Sequence, residues 1–214
     1  MTRRTVRVAA LSAAALVLLT ACGGGGGDDG SDKIQGATST TPSATPTISA
    51  TTSGAERPVI TFPSYAKNVF EDQQTGDPKK DAVLADDAQG VNSVDDAIFR
   101  RTLDSSALRF YNTGTALQNA LTYIKGYLDK NDSWAGTTRY FDRKVTFGDD
   151  GSASVVYCAD ESKSWITHPN TPVTHTPATA DSYVLYNDRL EKNEQGVWQI
   201  VNGVSNRGAA ECQP

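Results

Sequence analysis

The spacing of apolar residues predicts helices in the first half of the folded region. Asp77 is a candidate N-cap and Pro78 suits the first helical position. An apolar face at helical spacing then continues to about Leu103, through Leu84, Ala88, Val91, Val94 and Ile98. One or two helical turns are expected at 107–111. The clearest helix starts at 112–113, with an apolar stripe of Leu117, Ala120, Leu121, Ile124 and Leu128.

After Trp134 the period of the pattern changes to two, which is typical of strands. The alternation places Phe141, Val145 and Phe147 on one face, with Arg143 between them. A four-residue turn, GDDG, then leads into a second strand that ends in VVYCAD.

The last third of the chain predicts another hairpin. Residues 161–181 are rich in Pro and Thr and indicate a long loop, and strands at 182–192 and 197–205 then flank the turn NEQG. Earlier in the chain, VITF at 59–62 suits either a short strand or an apolar arm. Helices followed by antiparallel hairpins predict an α+β domain.

The N-terminus carries a different pattern. Arg3, Arg4 and Arg7 precede about a dozen apolar or small residues, fewer than the roughly 20 that span a bilayer. This is typical of an export signal. The double arginine leaves the export route, general secretory or twin-arginine, open.

The sequence Leu-Thr-Ala-Cys at 19–22 resembles the lipobox of bacterial lipoproteins. The resemblance implies that residues 1–21 are a lipoprotein signal peptide and that Cys22 becomes the lipidated first residue of the mature chain, carrying palmitate-type acyl chains. The protein would then be anchored to the extracytoplasmic face of the cell membrane without spanning it. The membrane is therefore its first expected partner.

The residues after Cys22 suit a linker. Residues 22–57 are dominated by Gly, Ser, Thr, Pro and Ala, so they predict a disordered tether with an r.m.s. span of roughly 30–35 Å. Its Thr/Ser/Pro-rich half is compatible with O-linked sugars. Residues 58–214 are then expected to form one domain with its own core.

Charge limits the possible partners. Removing the signal takes three of the 20 basic residues and leaves 17 against 25 acidic ones, a net charge near −8. Such acidity argues against nucleic acid as the main partner, since nucleic acid selects basic surfaces.

The two remaining cysteines, Cys158 and Cys212, predict a disulfide because the domain is exported. A metal site would need further ligands nearby. The histidines, His168 and His175, lie in the Pro/Thr-rich segment without ligand spacing, so no metal site is predicted.

The order of elements and the hairpin LEKNEQGVWQI, with its Gly196-x-Trp198, resemble the nuclear transport factor 2-like (SnoaL-like) fold over about residues 77–207. The resemblance implies helices packed into the concave side of a curved antiparallel sheet, forming a cone. The lipobox, the Thr/Pro tether and a late cysteine pair are together similar to small lipoproteins of high-GC Gram-positive (actinobacterial) bacteria.

No constellation of catalytic residues emerges from the spacing, and no cofactor is predicted. Arg143 is interpreted as lying on the core with its head reaching water, Asp160 as a turn residue, and the two histidines as exposed loop residues. DKNDSW at 129–134 fails as a calcium loop, because Trp134 occupies the glycine position. The glycine run at 23–27 has no framing strand, lysine or helix, so it is no phosphate loop.

Three functions remain open. The first is a non-catalytic lipoprotein that binds a small ligand or a partner protein. The alternatives are a small isomerase- or hydrolase-like enzyme and a transporter's solute-binding lipoprotein. A cavity of several hundred Å³ that contains a Tyr or Asp would favour ligand binding or catalysis, whereas a filled cone would favour partner binding or a homodimer.

Overall fold

The computed structural model describes residues 54–173, 175 and 177–214. The predicted signal peptide, Cys22 and the tether up to residue 53 lie outside these residues. Arg57 already contacts the domain through an ion pair with Asp86, so the contacts of the folded part begin before residue 58. None of the described helices is both long and apolar enough to cross a membrane.

The described chain is an α+β domain built on one mixed, five-stranded sheet. Its helices are α1 (Pro78–Phe99), α2 (Ser106–Tyr111) and α3 (Gly114–Lys130). Its strands are β1 (Ala66–Phe70), β2 (Ser133–Phe147), β3 (Ala153–Thr167), β4 (Tyr183–Lys192) and β5 (Trp198–Arg207). Short 3₁₀ turns occupy Ala180–Ser182 and Ala210–Cys212.

The strands follow one another across the sheet in chain order. The pairs β2–β3, β3–β4 and β4–β5 are antiparallel, but β1 runs parallel to β2. The prediction of an entirely antiparallel sheet is therefore wrong at this edge. The strand option for VITF is also wrong, because the edge strand is AKNVF, four residues beyond its end.

The helix boundaries follow the capping signals. The side chain of Asp77 accepts a hydrogen bond of 2.9 Å from the backbone N–H of Lys79, which confirms the predicted N-cap. The helix ends at Phe99, before the predicted Leu103, because Arg101 adopts a left-handed conformation and its N–H bonds the carbonyl of Ile98.

A bulge in β2 overturns the predicted faces of that strand. The β2–β3 register shifts between Phe141 and Lys144, and Asp142 between them has φ of 52°. The extra residue brings Tyr140, Arg143 and Val145 to the buried side together. Phe141 packs on the opposite face, so the prediction that it shares a face with Val145 is wrong.

The strand β3 is longer than predicted. Residues 161–167 continue it, and residues 163–167 pair with 133–137 of β2, so this part of the predicted loop belongs to the strand. The pattern missed this extension because Glu161, Ser162, Lys163 and Ser164 interrupt the apolar alternation.

The helices α1 and α3 pack on the sheet face that carries Tyr157 and Ala159. Since side chains alternate along a strand, Cys158 points to the other face. There it forms the predicted disulfide with Cys212, across a Cα–Cα distance of 5.4 Å, and Phe141, Tyr183 and Leu185 pack around it.

Candidate ligand-binding cavity

A cavity of about 940 Å³ lies between the helices and the sheet. The helices α1 and α3 supply one wall and the strands β2 to β5 the other, while residues 177–182 reach its margin. Tyr123, Ile166 and Val204 line it and are also exposed to solvent, so they mark its mouth. The volume suits a drug-sized organic molecule.

Seven aromatic side chains of the described residues contribute to the cavity wall. Tyr140, Tyr157 and Tyr186 stand on neighbouring strands, and the rings of the last two stack with centroids 5.2 Å apart. Burial raises the pKa of Tyr140 and of Tyr157 well above the usual value, so both hydroxyls remain protonated hydrogen-bond donors. Four further aromatic residues line the space: Tyr123, Tyr127, Trp134 and Trp165.

Asp95 brings a carboxyl group to the cavity from α1. Its two oxygens accept separate hydrogen bonds, one of 2.7 Å from Asn68 Nδ2 and one of 3.0 Å from Trp134 Nε1. These N–H groups fix the orientation of the carboxyl and favour its ionised form, but burial outweighs them and raises its pKa to about 7. The residue as a whole is only partly buried.

Asp188 supplies a second carboxyl group, from β4. Tyr157 donates a hydrogen bond of 2.8 Å to Oδ2 of Asp188, and Asp188 is only 6% exposed. Burial raises its pKa to about 8, and the nearby charge of Asp87 adds to the rise. Gly203 lies directly opposite on β5, where a Cβ would come within 2.4 Å of Asp188 Oδ1. The glycine therefore makes room for the carboxyl group.

A buried ion pair lies beneath the aromatic wall. Arg143 donates to Asp87 Oδ2 at 2.7 Å and to the carbonyl of Leu84 at 2.9 Å. Its guanidinium also lies over the rings of Phe70 and Tyr157, and the distances from Cζ of Arg143 to the two ring centroids are 5.1 and 5.9 Å. The side chain is fully buried, so the interpretation that its head reaches water is wrong.

The other candidate residues lie outside the cavity lining. Asp160 is a mid-strand residue of β3, 3.7 Å from Arg139, and the prediction that it lies in a turn is wrong. His168 is exposed as predicted and its Nδ1 lies 2.5 Å from Asp132 Oδ1. His175 is also exposed and packs on Trp165, with centroids 4.0 Å apart. Among the residues that the structure describes, no cluster could hold a metal ion.

The sequence reasoning missed both cavity carboxyl groups, although the pattern contained a signal for each. Asp95 lies four residues after Val91 and therefore on the apolar face of α1. Asp188 lies between Tyr186 and Leu190 on the inward face of β4. A charged residue at a position that the period reserves for the core is the signal that could have found them.

No protein-family model matches the chain, and no curated protein is significantly similar to it. Among solved structures, the chain is similar to the intermembrane space region of the chloroplast protein ARC6, at 11% identity and a TM-score of 0.38. The match covers 60% of this chain and 95% of that one. A likeness of this size carries no inference about fold or function.

Proposed function

We propose that this protein is an extracytoplasmic, lipid-anchored binding protein, and that its nuclear transport factor 2-like domain holds a small organic molecule in the cavity. The observation that carries the proposal is the cavity of about 940 Å³ with Asp95, Asp188 and tyrosine hydroxyls in its wall. Pockets that combine apolar and aromatic surface with a few fixed polar groups are the usual form of ligand sites.

Two features support the cone-shaped fold named in the proposal. The helices α1 and α3 both contact one face of the sheet, and the cavity lies between these helices and the strands. A long strand of that sheet contains the bulge at Asp142, and bulges are a usual device for curving a sheet.

The cavity can be tested by blocking it. Asn119 and Gln118 are adjacent exposed residues of α3, but only Asn119 lines the cavity. We expect the neutral dye prodan to show blue-shifted, enhanced fluorescence with the wild type and with Gln118→Trp, and to lose this signal with Asn119→Trp. Equal dye binding by both variants, or no binding by the wild type, would refute the use of this cavity.

The anchor rests on the sequence at 19–22 and has its own test. We expect Cys22→Ser to move the protein from the membrane fraction to the soluble fraction of the producing bacterium. Ser31→Ala, a change of similar size in the tether, should leave the protein in the membrane. Retention of the Cys22→Ser protein in membranes would exclude the lipid anchor.

One observation favours an enzyme as the second candidate. Asp188 pairs with the Tyr157 hydroxyl, and its pKa of about 8 would let the carboxyl group give and take a proton near neutral pH. Because the same cavity serves both functions, product formation from a bound ligand distinguishes them. A binding protein returns its ligand unchanged, and an enzyme with this acid/base group would lose turnover in Asp188→Asn.

A further inference from the structure

Acidic residues outnumber basic residues on the described cavity wall, and most of them have no ion-pair partner there. Among the described lining residues, four are acidic and one is basic: Asp95, Glu161, Asp181, Asp188 and Arg207. The guanidinium of Arg207 is already bound, at 2.7 and 3.2 Å from the two carboxylate oxygens of Glu161. The pair leaves the other three carboxyl groups without a neutralising partner on the wall.

Asp95 illustrates this imbalance best. Within the described part of the chain its hydrogen-bond donors, Asn68 and Trp134, are both neutral, and it makes no ion pair. The two donors occupy one lone pair on each oxygen, so each oxygen can still accept a hydrogen bond from the cavity. A carboxyl group held this way is ready for a donor that carries positive charge.

The aromatic residues near Asp95 point to the same ligand class. Tyr123, Tyr127, Tyr140 and Trp134 all line the same cavity, and Asp95 is close enough to the three tyrosines to raise their pKa values. Aromatic faces attract cations through the negative centre of the ring. Rings around a carboxylate form the arrangement that recognises amines and quaternary ammonium groups.

We propose that the cavity selects an organic cation, with an ammonium group that binds Asp95 and an apolar body that packs against the tyrosines. The inference rests on the proposed ligand-binding function and narrows its ligand class. Besides the three tyrosines, the titratable groups that face Asp95 are Tyr186 of β4 and Glu161 of β3, and Glu161 raises the pKa of Asp95 although it is paired with Arg207. An anionic ligand would instead be repelled by Asp95, and the described wall offers it no unpaired cationic side chain.

The pKa of Asp95 agrees with this selection. Without a cation, burial holds the pKa near 7, so the carboxyl group is partly protonated at neutral pH. A bound ammonium group would lower that pKa and release a proton. Cation affinity should therefore rise as the pH increases from about 6 to about 8.

The test uses three ligands that share an indole ring and differ in charge: tryptamine, the neutral tryptophol and the anion indole-3-acetate. Isothermal titration of the purified protein at pH 8 should show tryptamine binding at least about tenfold more tightly than tryptophol, and indole-3-acetate most weakly. Asp95→Asn should remove most of the tryptamine preference, whereas Asp129→Asn, a charge change at an exposed residue of α3 outside the cavity lining, should retain it.

Asp95→Asn is expected to fold, because the amide keeps the size of the carboxyl group and its oxygen can still accept the hydrogen bond from Trp134 Nε1. Should it not fold, the pH dependence of tryptamine binding to the wild type provides the second measurement. An equal affinity for all three ligands, a preference for the anion, or no tryptamine binding would overturn the inference. Prodan binding in the same sample would then show that the ligand-binding function itself stands.

Discussion

The buried ion pair between Arg143 and Asp87 makes a strong prediction about stability. Their side chains are 0% and 1% exposed, and the two atoms in contact lie 2.7 Å apart. Removing either partner leaves the other charge in a site without water, which costs about 3–5 kcal/mol. Domains of this size have only about 5–15 kcal/mol of total stability, so Arg143→Met should remove a large part of it.

The effects of substituting the two residues on the free energy of unfolding should also be strongly non-additive. We expect Arg143→Met and Asp87→Asn each to lower the free energy of unfolding by about 3–5 kcal/mol, and the double variant to lose less than the sum of the two. The coupling energy should be about 2–4 kcal/mol, because the double variant contains no unpaired buried charge. Urea unfolding followed by tryptophan fluorescence measures all four proteins.

A surface pair supplies the control. Arg189 contacts Asp150 at 3.0 Å, but the two side chains are 43% and 57% exposed. Arg189→Met should therefore change the free energy of unfolding by at most about 1 kcal/mol. If Arg143→Met were no more destabilising than Arg189→Met, or the coupling energy were below about 1 kcal/mol, the conclusion that Arg143 and Asp87 form a buried ion pair would be refuted.

Three other predictions follow from single features of the structure. Replacing Cys158 and Cys212 by alanine should destabilise the domain by about 4 kcal/mol, since the bond spans a sequence separation of 54, and a reductant should then have no further effect on the urea midpoint. The pKa of Asp95 is higher in the folded state than in the unfolded state, so the folded state binds more protons between pH 4 and 7. The free energy of unfolding of the wild type should therefore fall relative to that of Asp95→Asn as the pH rises from 4 to 7. If the two free energies changed with pH in parallel, the raised pKa would be contradicted. Gly203→Ala should displace the Asp188 carboxyl group from Tyr157, which a crystal structure of the variant would show, together with weaker prodan binding.

The sequence was sufficient for the elements with local signals. The N-cap at Asp77, the turns at 148–151 and 193–196 and the strong stripe of α3 depend on neighbouring residues only, and each lies where the pattern indicates. The disulfide was predictable because export, which the N-terminal pattern predicts, would restrict what two cysteines can do.

The edge strand β1 was not predictable in this way, because its five residues, AKNVF, are ordered by pairing with β2 about 70 positions later. The bulge at Asp142 likewise depends on the partner strand. A period of two assumes unbroken pairing, so a single extra residue inverts the face assignment of everything on one side of it. This is why Phe141 was assigned to the same face as Val145.

The site residues were missed for a different reason. Asp95 and Asp188 occupy core-facing positions where apolar residues would stabilise the domain more, and each carries a raised pKa that reflects the cost of its burial. Their neighbours nevertheless accommodate them, through the Trp134 and Asn68 donors, the Tyr157 hydroxyl and the missing Cβ of Gly203. Local rules are usually broken in this way at functional sites. A fold that needed only stability would gain nothing from holding two carboxyl groups against a cavity with aromatic rings in its wall. A protein that binds an organic cation would gain affinity from them.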